Sequence, residues 1–232
     1  MTSLIEQRRA SIASLEIFAQ LSEQELDALI AVGRIEKLPA RHELFHKGDE
    51  AHTFFLILSG RLKVTSTSPE GEDVVFSIME RGESIGEVAL FASSPRTGTV
   101  TTLDPSELFV IQKQDFVRFL RTHPDATLSV LETLAGRLLR LSERVEDSRF
   151  LNLPGRLAKL LLSLERRFSR PVAEGVMIEL KLSQTDLAEM AGASREAVNK
   201  QMRDWKERGI AHHDHGDVTI LDKERLEKET IL

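Results

Sequence analysis

The apolar residues of this chain change their period once, and that change sets what it can fold into. From Ile35 to Ile111 they come in short or alternating runs, such as Phe54 to Leu58, Leu62 to Thr65, Val74 to Met79 and Leu108 to Ile111. Turn-forming residues separate the runs at Lys47-Gly48-Asp49, Ser59-Gly60, Pro69-Glu70-Gly71, Arg81-Gly82 and Asp104-Pro105. Many short strands at that spacing predict a sandwich, barrel or roll. After His123-Pro124 the period becomes helical, and Leu131, Leu134, Leu138, Leu141 and Val145 follow a 3-4-3-4 spacing. That is the a/d seam of a coiled coil, although two heptads also fit a helix packed on its own β-domain.

Around this switch lie two further helical regions. Leu15, Phe18, Leu21, Leu26, Leu29 and Ile30 predict a helical lead-in over residues 1–32, with Ser22-Glu23-Gln24-Glu25 as a capping box that restarts a helix. Phe150 to Gly155 breaks the long helix, and Pro154 suits the first turn of a new one, so a hinge and domain boundary are expected there. Leu157, Leu160, Leu161, Leu164 and Phe168 then form an apolar stripe ahead of a hairpin around Pro171 to Leu182.

With 232 residues, 41% hydrophobic and 29% charged, the chain has enough material for two modest cores. No run is long and apolar enough to span a membrane, and Glu6, Arg8 and Arg9 stand where a signal peptide needs apolar residues, so a cytoplasmic protein without a membrane partner is expected. The absence of cysteine excludes disulfides, thiolate zinc sites, cysteine-held iron–sulfur clusters and a cysteine nucleophile. No nucleophilic triad or Walker loop is present either, which argues against an enzyme. The net charge of −6 arises from 17 basic and 23 acidic residues over 1–150, whereas 151–232 hold 14 of each. Any affinity for nucleic acid must therefore come from a local basic surface in the second part.

Such a surface is legible at Ser183 to Lys206. Ser183 with Asp186 caps a short helix whose apolar residues are Leu187, Ala188, Met190 and Ala191, and Gly192 supplies the turn. Ser194 caps a second helix, with Ala197, Val198, Met202 and Trp205 inside and Arg195, Glu196, Asn199, Lys200 and Arg203 on other faces. This is helix-turn-helix spacing, and its chemistry suits base reading: Arg donates twice to guanine, and Glu accepts from cytosine N4. The same residues also fit an ordinary exposed helix laced by surface ion pairs. Gly209-Ile210-Ala211 and Val218-Thr219-Ile220 predict a following hairpin, a wing with His212 to Asp217 at its tip.

From Gly192 to Lys200 the chain resembles the recognition motif of the cyclic AMP receptor/FNR (Crp/Fnr) family of bacterial regulators. Gly86-Glu87-Val88-Ala89-Leu90-Phe91 and Pro95-Arg96-Thr97-Gly98-Thr99-Val100 are similar to that family's phosphate-binding cassette. The resemblance implies an α+β chain with an N-terminal double-stranded β-helix (jelly-roll) domain over 1–123, a dimerisation helix and hinge over 124–151, and a winged helix-turn-helix domain over 152–232. It also implies that Glu87 accepts from a ribose hydroxyl while Arg96 and Thr97 hold a cyclic phosphate, with Gly86, Val88 and Gly98 completing the cassette. Arg195 and Glu196 would read a TGTGA-type half-site, with Lys200 where many members carry Arg. In cyclic AMP receptors an adjacent Thr and Ser on the dimer helix contact the adenine; here the alignable pair is Leu141-Ser142, and Leu141 offers no hydrogen bond to a base.

The implied protein is a ligand-gated homodimer with no obligatory cofactor, partnered by double-stranded DNA, cyclic AMP or cyclic GMP, and RNA polymerase. Within the same fold, a haem or gas sensor would use His42, His46, His52 or His123 as an axial ligand. A cupin-like metalloenzyme would use His42, His46 and Glu50, although their spacing does not keep strand register. No metal is expected.

Overall fold

Phe54-Phe55-Leu56-Ile57-Leu58 is buried along its whole length, which requires cover on both faces. The computed structural model describes residues 4–13, 15, 18, 21–67 and 73–231, and it supplies both covers. Strand β3 (Thr53–Ser59) pairs antiparallel with β8 (Ser106–Gln112), and the pair sends alternate residues to opposite sides. Phe55, Ile57, Leu108 and Val110 enter a core with Leu38, Leu62, Met79, Ile85 and Val100. Phe54, Leu56, Leu58, Phe109 and Ile111 enter a second core made with helices.

The first core lies between two four-stranded antiparallel sheets. One has the order β1-β8-β3-β6, with β1 at Gly33–Leu38 and β6 at Ser84–Ile85. The other has the order β2-β7-β4-β5, with β2 at Glu43–Phe45, β4 at Leu62–Thr67, β5 at Asp73–Met79 and β7 at Thr99–Thr102. Pairing the first strand with the eighth, the second with the seventh, the third with the sixth and the fourth with the fifth is the winding of a jelly roll. The Pro69-Glu70-Gly71 turn lies outside the described residues.

The second core takes the helical lead-in. Helix α1 (Leu4–Ala13) and α2 (Glu23–Ala31) contribute Ile12, Leu26 and Leu29, joined by Leu15 and Phe18. The capping box at Ser22 is formed in both directions. Helix α4 (Lys113–Thr122) adds Phe116, Phe119 and Leu120, and the start of α5 (Pro124–Phe150) adds Ala126 and Val130.

The chain divides into two compact units, residues 1–138 and 139–232, and the division falls inside α5. The expected boundary at 151/152 therefore lies within the second unit. In that unit α6 (Leu153–Phe168) starts at an Asn152 cap with Pro154 in its first turn and buries Leu157, Leu161, Leu164 and Phe168. Strands β9 (Ser169–Val172), β10 (Gly175–Ile178), β11 (Ala211–Asp214) and β12 (Asp217–Ile220) form an antiparallel sheet of order β11-β12-β10-β9. Between the hairpins lie α7 (Gln184–Ala191) and α8 (Arg195–Glu207), whose Trp205 is fully buried, and α9 (Lys223–Lys228) follows.

Candidate functional site

The cassette is built on a turn that glycine makes possible. Gly86, between β6 and the short helix α3 (Glu87–Ala92), has φ 92°. A Cβ there would stand 2.2 Å from Arg96 Nη1, so the residue must be both left-handed and bare. On either side of Gly86 lie two buried charges. Glu87 is 3% exposed and Arg96 4%.

Arg96 is held from several sides. Its Nη2 donates to Thr53 O at 2.8 Å and Thr53 Oγ1 at 2.9 Å, its Nη1 reaches Gly86 O at 3.4 Å, and its guanidinium lies 4.2 Å from the Phe45 ring centroid. The backbone around it is pinned to the Lys47-Gly48-Asp49 turn through Arg96 N to Asp49 O and Gly48 N to Arg96 O. Burial pulls the Arg96 pKa down, opposed by the charges of Glu87 and Asp49. Burial likewise pushes the Glu87 carboxyl up, opposed by the Arg137 guanidinium.

Arg137, on α5, is the residue that sequence reasoning missed. It forms an ion pair with Glu87 Oε1 and donates to Ser84 O at 2.5 Å. One signal was available, because Arg137 lies three residues after Leu134 and seven after Val130, on the helix face that turns inward. Even so, Glu87 Oε2 and Arg96 Nε are buried without a hydrogen-bond partner. Uncompensated buried polar atoms of opposite sign are costly unless a ligand satisfies them. An anionic ligand bearing a hydroxyl fits both, since a carboxylate accepts from the hydroxyl and a guanidinium donates to the anion. Thr97 is exposed beside them, Gly98 is buried, and Val88 is 47% exposed.

The remaining expected ligand residue, Ser142, belongs to the second unit and is exposed. Of the seam residues, Leu131, Leu138, Leu141 and Val145 are exposed, with Leu138 at 65%. Leu134 differs: it is half-buried against the second core of its own unit. It shares the inward face with Val130, one turn earlier. Leu128 and Leu139, outside the expected seam, are exposed as well.

In the second unit the helix-turn-helix forms with both caps in place. Ser183 Oγ accepts from Asp186 N while Asp186 returns a bond to Ser183 N, and Ser194 Oγ accepts from Ala197 N at 3.2 Å. Gly192, at φ 62°, makes the left-handed turn between the helices. On α8, Val198, Met202 and Trp205 face inward and Arg195, Glu196, Lys200 and Arg203 are exposed. Those four make no side-chain hydrogen bond or ion pair among the described residues; the surface pairs of this helix lie at its C-terminal end, where Asp204 accepts from Gln201 at 3.4 Å and from Arg208 at 2.9 Å. Asn199 is half-buried, with Oδ1 turned inward and unpaired.

The wing is tighter than expected. Its strands run to Asp214 and Asp217, leaving only His215 and Gly216 in the loop, at φ 48° and 87°. Positive φ at both positions is the two-residue hairpin turn that matches strand twist. His213 is not at the tip: its Nε2 lies 2.7 Å from Leu182 O, next to the Ser183 cap.

Three of the four histidines expected as axial ligands have local partners. His46 pairs with Glu43 at 2.6 Å and His52 with Glu50 at 2.7 Å, while the His123 ring stacks on Phe119. His42, His46 and Glu50 are not brought into one metal-ligating group among the described residues.

Residues 35–123 match the cyclic nucleotide-binding domain family, and residues 155–229 match the Crp-like helix-turn-helix domain family. A CRP-like cAMP-activated global transcriptional regulator of Mycobacterium tuberculosis is 30% identical over 215 residues, covering 93% of this chain and 96% of that one. The chain belongs to the Crp/Fnr family of transcription regulators. A second Crp/Fnr relative, the cAMP-activated global transcriptional regulator CRP of Haemophilus influenzae, is 25% identical over 84% of this chain and 87% of its own. Among solved structures, the c-di-GMP responsive regulator CLP of Xanthomonas campestris superposes with a TM-score of 0.74 at 24% identity, covering 86% of this chain and 99% of its own. A CooA variant from Carboxydothermus hydrogenoformans gives 0.72 at 20% identity, covering 87% of this chain and 89% of its own. At those identities the structural likeness speaks for the fold. As a Crp/Fnr regulator, this protein joins a nucleotide-binding domain to a DNA-binding domain and is not an enzyme.

Proposed function

We propose that the protein is a homodimeric regulator whose reading of a palindromic DNA site is gated by cyclic AMP or cyclic GMP. The observation that carries this is the pair of buried, opposite charges flanking Gly86, each with an unsatisfied atom, Glu87 Oε2 and Arg96 Nε. Arg96 and Thr97 hold the phosphate, Glu87 accepts from the ribose hydroxyl, and Gly86, Val88 and Gly98 shape the turn. That both relatives are cAMP-activated regulators supports a cyclic nucleotide. Ser142 remains as a donor toward the base, beside Leu141.

On the DNA side, Arg195 reads guanine and Glu196 accepts from cytosine in a TGTGA-like half-site, with Lys200 and Arg203 adding base or phosphate contacts. Ser183 and Ser194 spend their hydroxyls as caps; Ser183, whose backbone N–H is held by Asp186, serves the DNA face by fixing the start of α7, and Ser194 contacts a phosphate through its backbone N–H. Asn199, half-buried, supports the helix face that Arg195 extends from. The exposed residues Leu131, Leu138, Leu141 and Val145 join two copies along α5, with Leu134 at the margin. Two recognition helices then enter major grooves about 34 Å apart. Transcription control makes RNA polymerase the final partner, and the cytoplasm the place of action.

Calorimetric titration tests the ligand assignment. Cyclic AMP or cyclic GMP binds the wild type, and Arg96→Ala loses about 100-fold in affinity, the worth of a charge-assisted contact in a buried site. Failure of both nucleotides to bind, or an Arg96→Ala variant that binds as wild type does, contradicts it.

A further inference from the structure

Arg156 lies in the first turn of α6, and its guanidinium reaches three backbone carbonyls. Nη1 donates to Leu151 O at 2.9 Å, Nε to Ala191 O at 3.0 Å, and Nη2 reaches Gly192 O at 3.4 Å. These carbonyls come from three places that matter for reading DNA. Leu151 follows the last residue of α5, Ala191 is the last residue of α7, and Gly192 is the turn that launches α8.

The chemistry favours a lasting connection. Carbonyls at helix C-termini lack intrahelical partners and carry the negative end of the helix dipole, so a cation is the group that suits them. A guanidinium is rigid and planar, with donors in fixed directions, so serving several carbonyls at once fixes their relative positions. A second connection runs in parallel, because Lys159 on α6 forms an ion pair with Asp147 on α5 and Leu151 N donates to Asp147 O at 3.0 Å. The Asn152 side chain closes the break by accepting from Gly155 N at 3.0 Å. The expected hinge at residues 150–155 is thus braced on both sides and lies inside one compact unit.

We propose that Arg156 is a positioning residue for DNA reading: it fixes recognition helix α8 to the end of α5 through the α7–α8 turn, making the break a rigid corner. The proposal rests on the reading of α8 as the DNA-contacting helix of a dimer joined along α5. A rigid corner has a specific consequence. The separation of the two recognition helices is inherited from α5, so the wild type tolerates one spacing of half-sites and rejects others.

The test uses the full chain and a series of palindromic duplexes. Half-site centres stand about 10 base pairs apart or further by one or two inserted pairs, each insertion rotating the second half-site by about 34°. A single half-site duplex completes the set, and binding is read by fluorescence anisotropy with and without cyclic AMP and cyclic GMP. The wild type prefers one spacing by about tenfold or more, the loss of a good base contact being worth that much. In Arg156→Lys and Arg156→Gln the preference falls below about threefold, while single half-site affinity changes by less than about threefold, because the readers on α8 are untouched. Lysine keeps the charge without the fork, so rescue by Arg156→Lys contradicts the proposal. A loss equal at every spacing and on the single half-site also overturns it, because that is what mere destabilisation produces. So does a wild type without spacing preference. A wild-type profile indifferent to nucleotide contradicts the ligand reading and leaves the Arg156 comparison standing, and a monomeric chain in sedimentation contradicts the dimer reading by a separate measurement.

Discussion

The ligand cradle and the DNA-reading helix use charge in opposite ways. Around Gly86, Glu87 and Arg96 are nearly inaccessible, held by Arg137, Thr53 and the Phe45 ring, and still short of one partner each. On α8, Arg195, Glu196, Lys200 and Arg203 are exposed and uncommitted, and the fixed bonds are the caps at Ser183 and Ser194. The difference follows from what each surface meets. A small anion must be desolvated and enclosed, so its partners are prepaid within the fold. A duplex brings its own surface, and long exposed side chains adapt to it.

The sharpest break of this comparison is to remove a support of the cradle. Arg137→Ala leaves Glu87 buried beside a lost cation and lowers the thermal stability of the first unit by about 3 kcal/mol at pH 8. The pH dependence has a definite sign. Burial holds the folded Glu87 pKa above its ordinary value of 4.5, so its contribution is fully present below 4.5 and is lost as pH rises through the folded value. Removing Arg137 deepens that loss. The variant therefore approaches the wild type near pH 4 and diverges from it toward neutrality in melting curves at stepped pH; a constant difference would contradict the pairing.

A smaller effect is expected on the exposed surface, where nothing internal depends on the side chain. Arg195→Ala lowers affinity for a TGTGA-like palindrome by about 1 to 3 kcal/mol and leaves melting temperature unchanged, read by anisotropy and calorimetry together. Loss of stability without loss of discrimination would reverse the roles of the two regions. Arg203→Ala is milder still: it weakens binding across sequences and reduces the slope of log affinity against log salt by about 1. Mildest is Lys200→Arg, which restores a fork at that position and sharpens guanine preference by a few-fold at most.

How much was legible in the sequence also divides along this line. The helix-turn-helix was visible as a local element, because caps, a glycine turn and outward basic residues are local signals: the Ser183-Asp186 box, Gly192 and Arg195 stand where they were expected, whereas Asn199 turns partly inward. The jelly roll was visible as short apolar runs, but their pairing was not, since strands far apart in sequence meet in it, as Gly33 does with Ile111. Residues that act through tertiary contact were harder to find. Arg137 shows only as a polar residue on an inward helix face, with no local sign of Glu87 fifty residues earlier. Arg156 binds carbonyls, which carry no sequence signature at all. Leu134 fitted a coiled-coil seam and packs instead on its own core, because two adjacent stripes of one helix share the same spacing.

The central claim is that filling the cradle changes the reader. Anisotropy of a labelled TGTGA-like palindrome, titrated with the full chain with and without saturating cyclic AMP or cyclic GMP, measures it directly. A gain in affinity of about tenfold or more, corresponding to about 1.4 kcal/mol of coupling and absent in Arg96→Ala, is the predicted result. Equal affinity with and without either nucleotide would contradict the account.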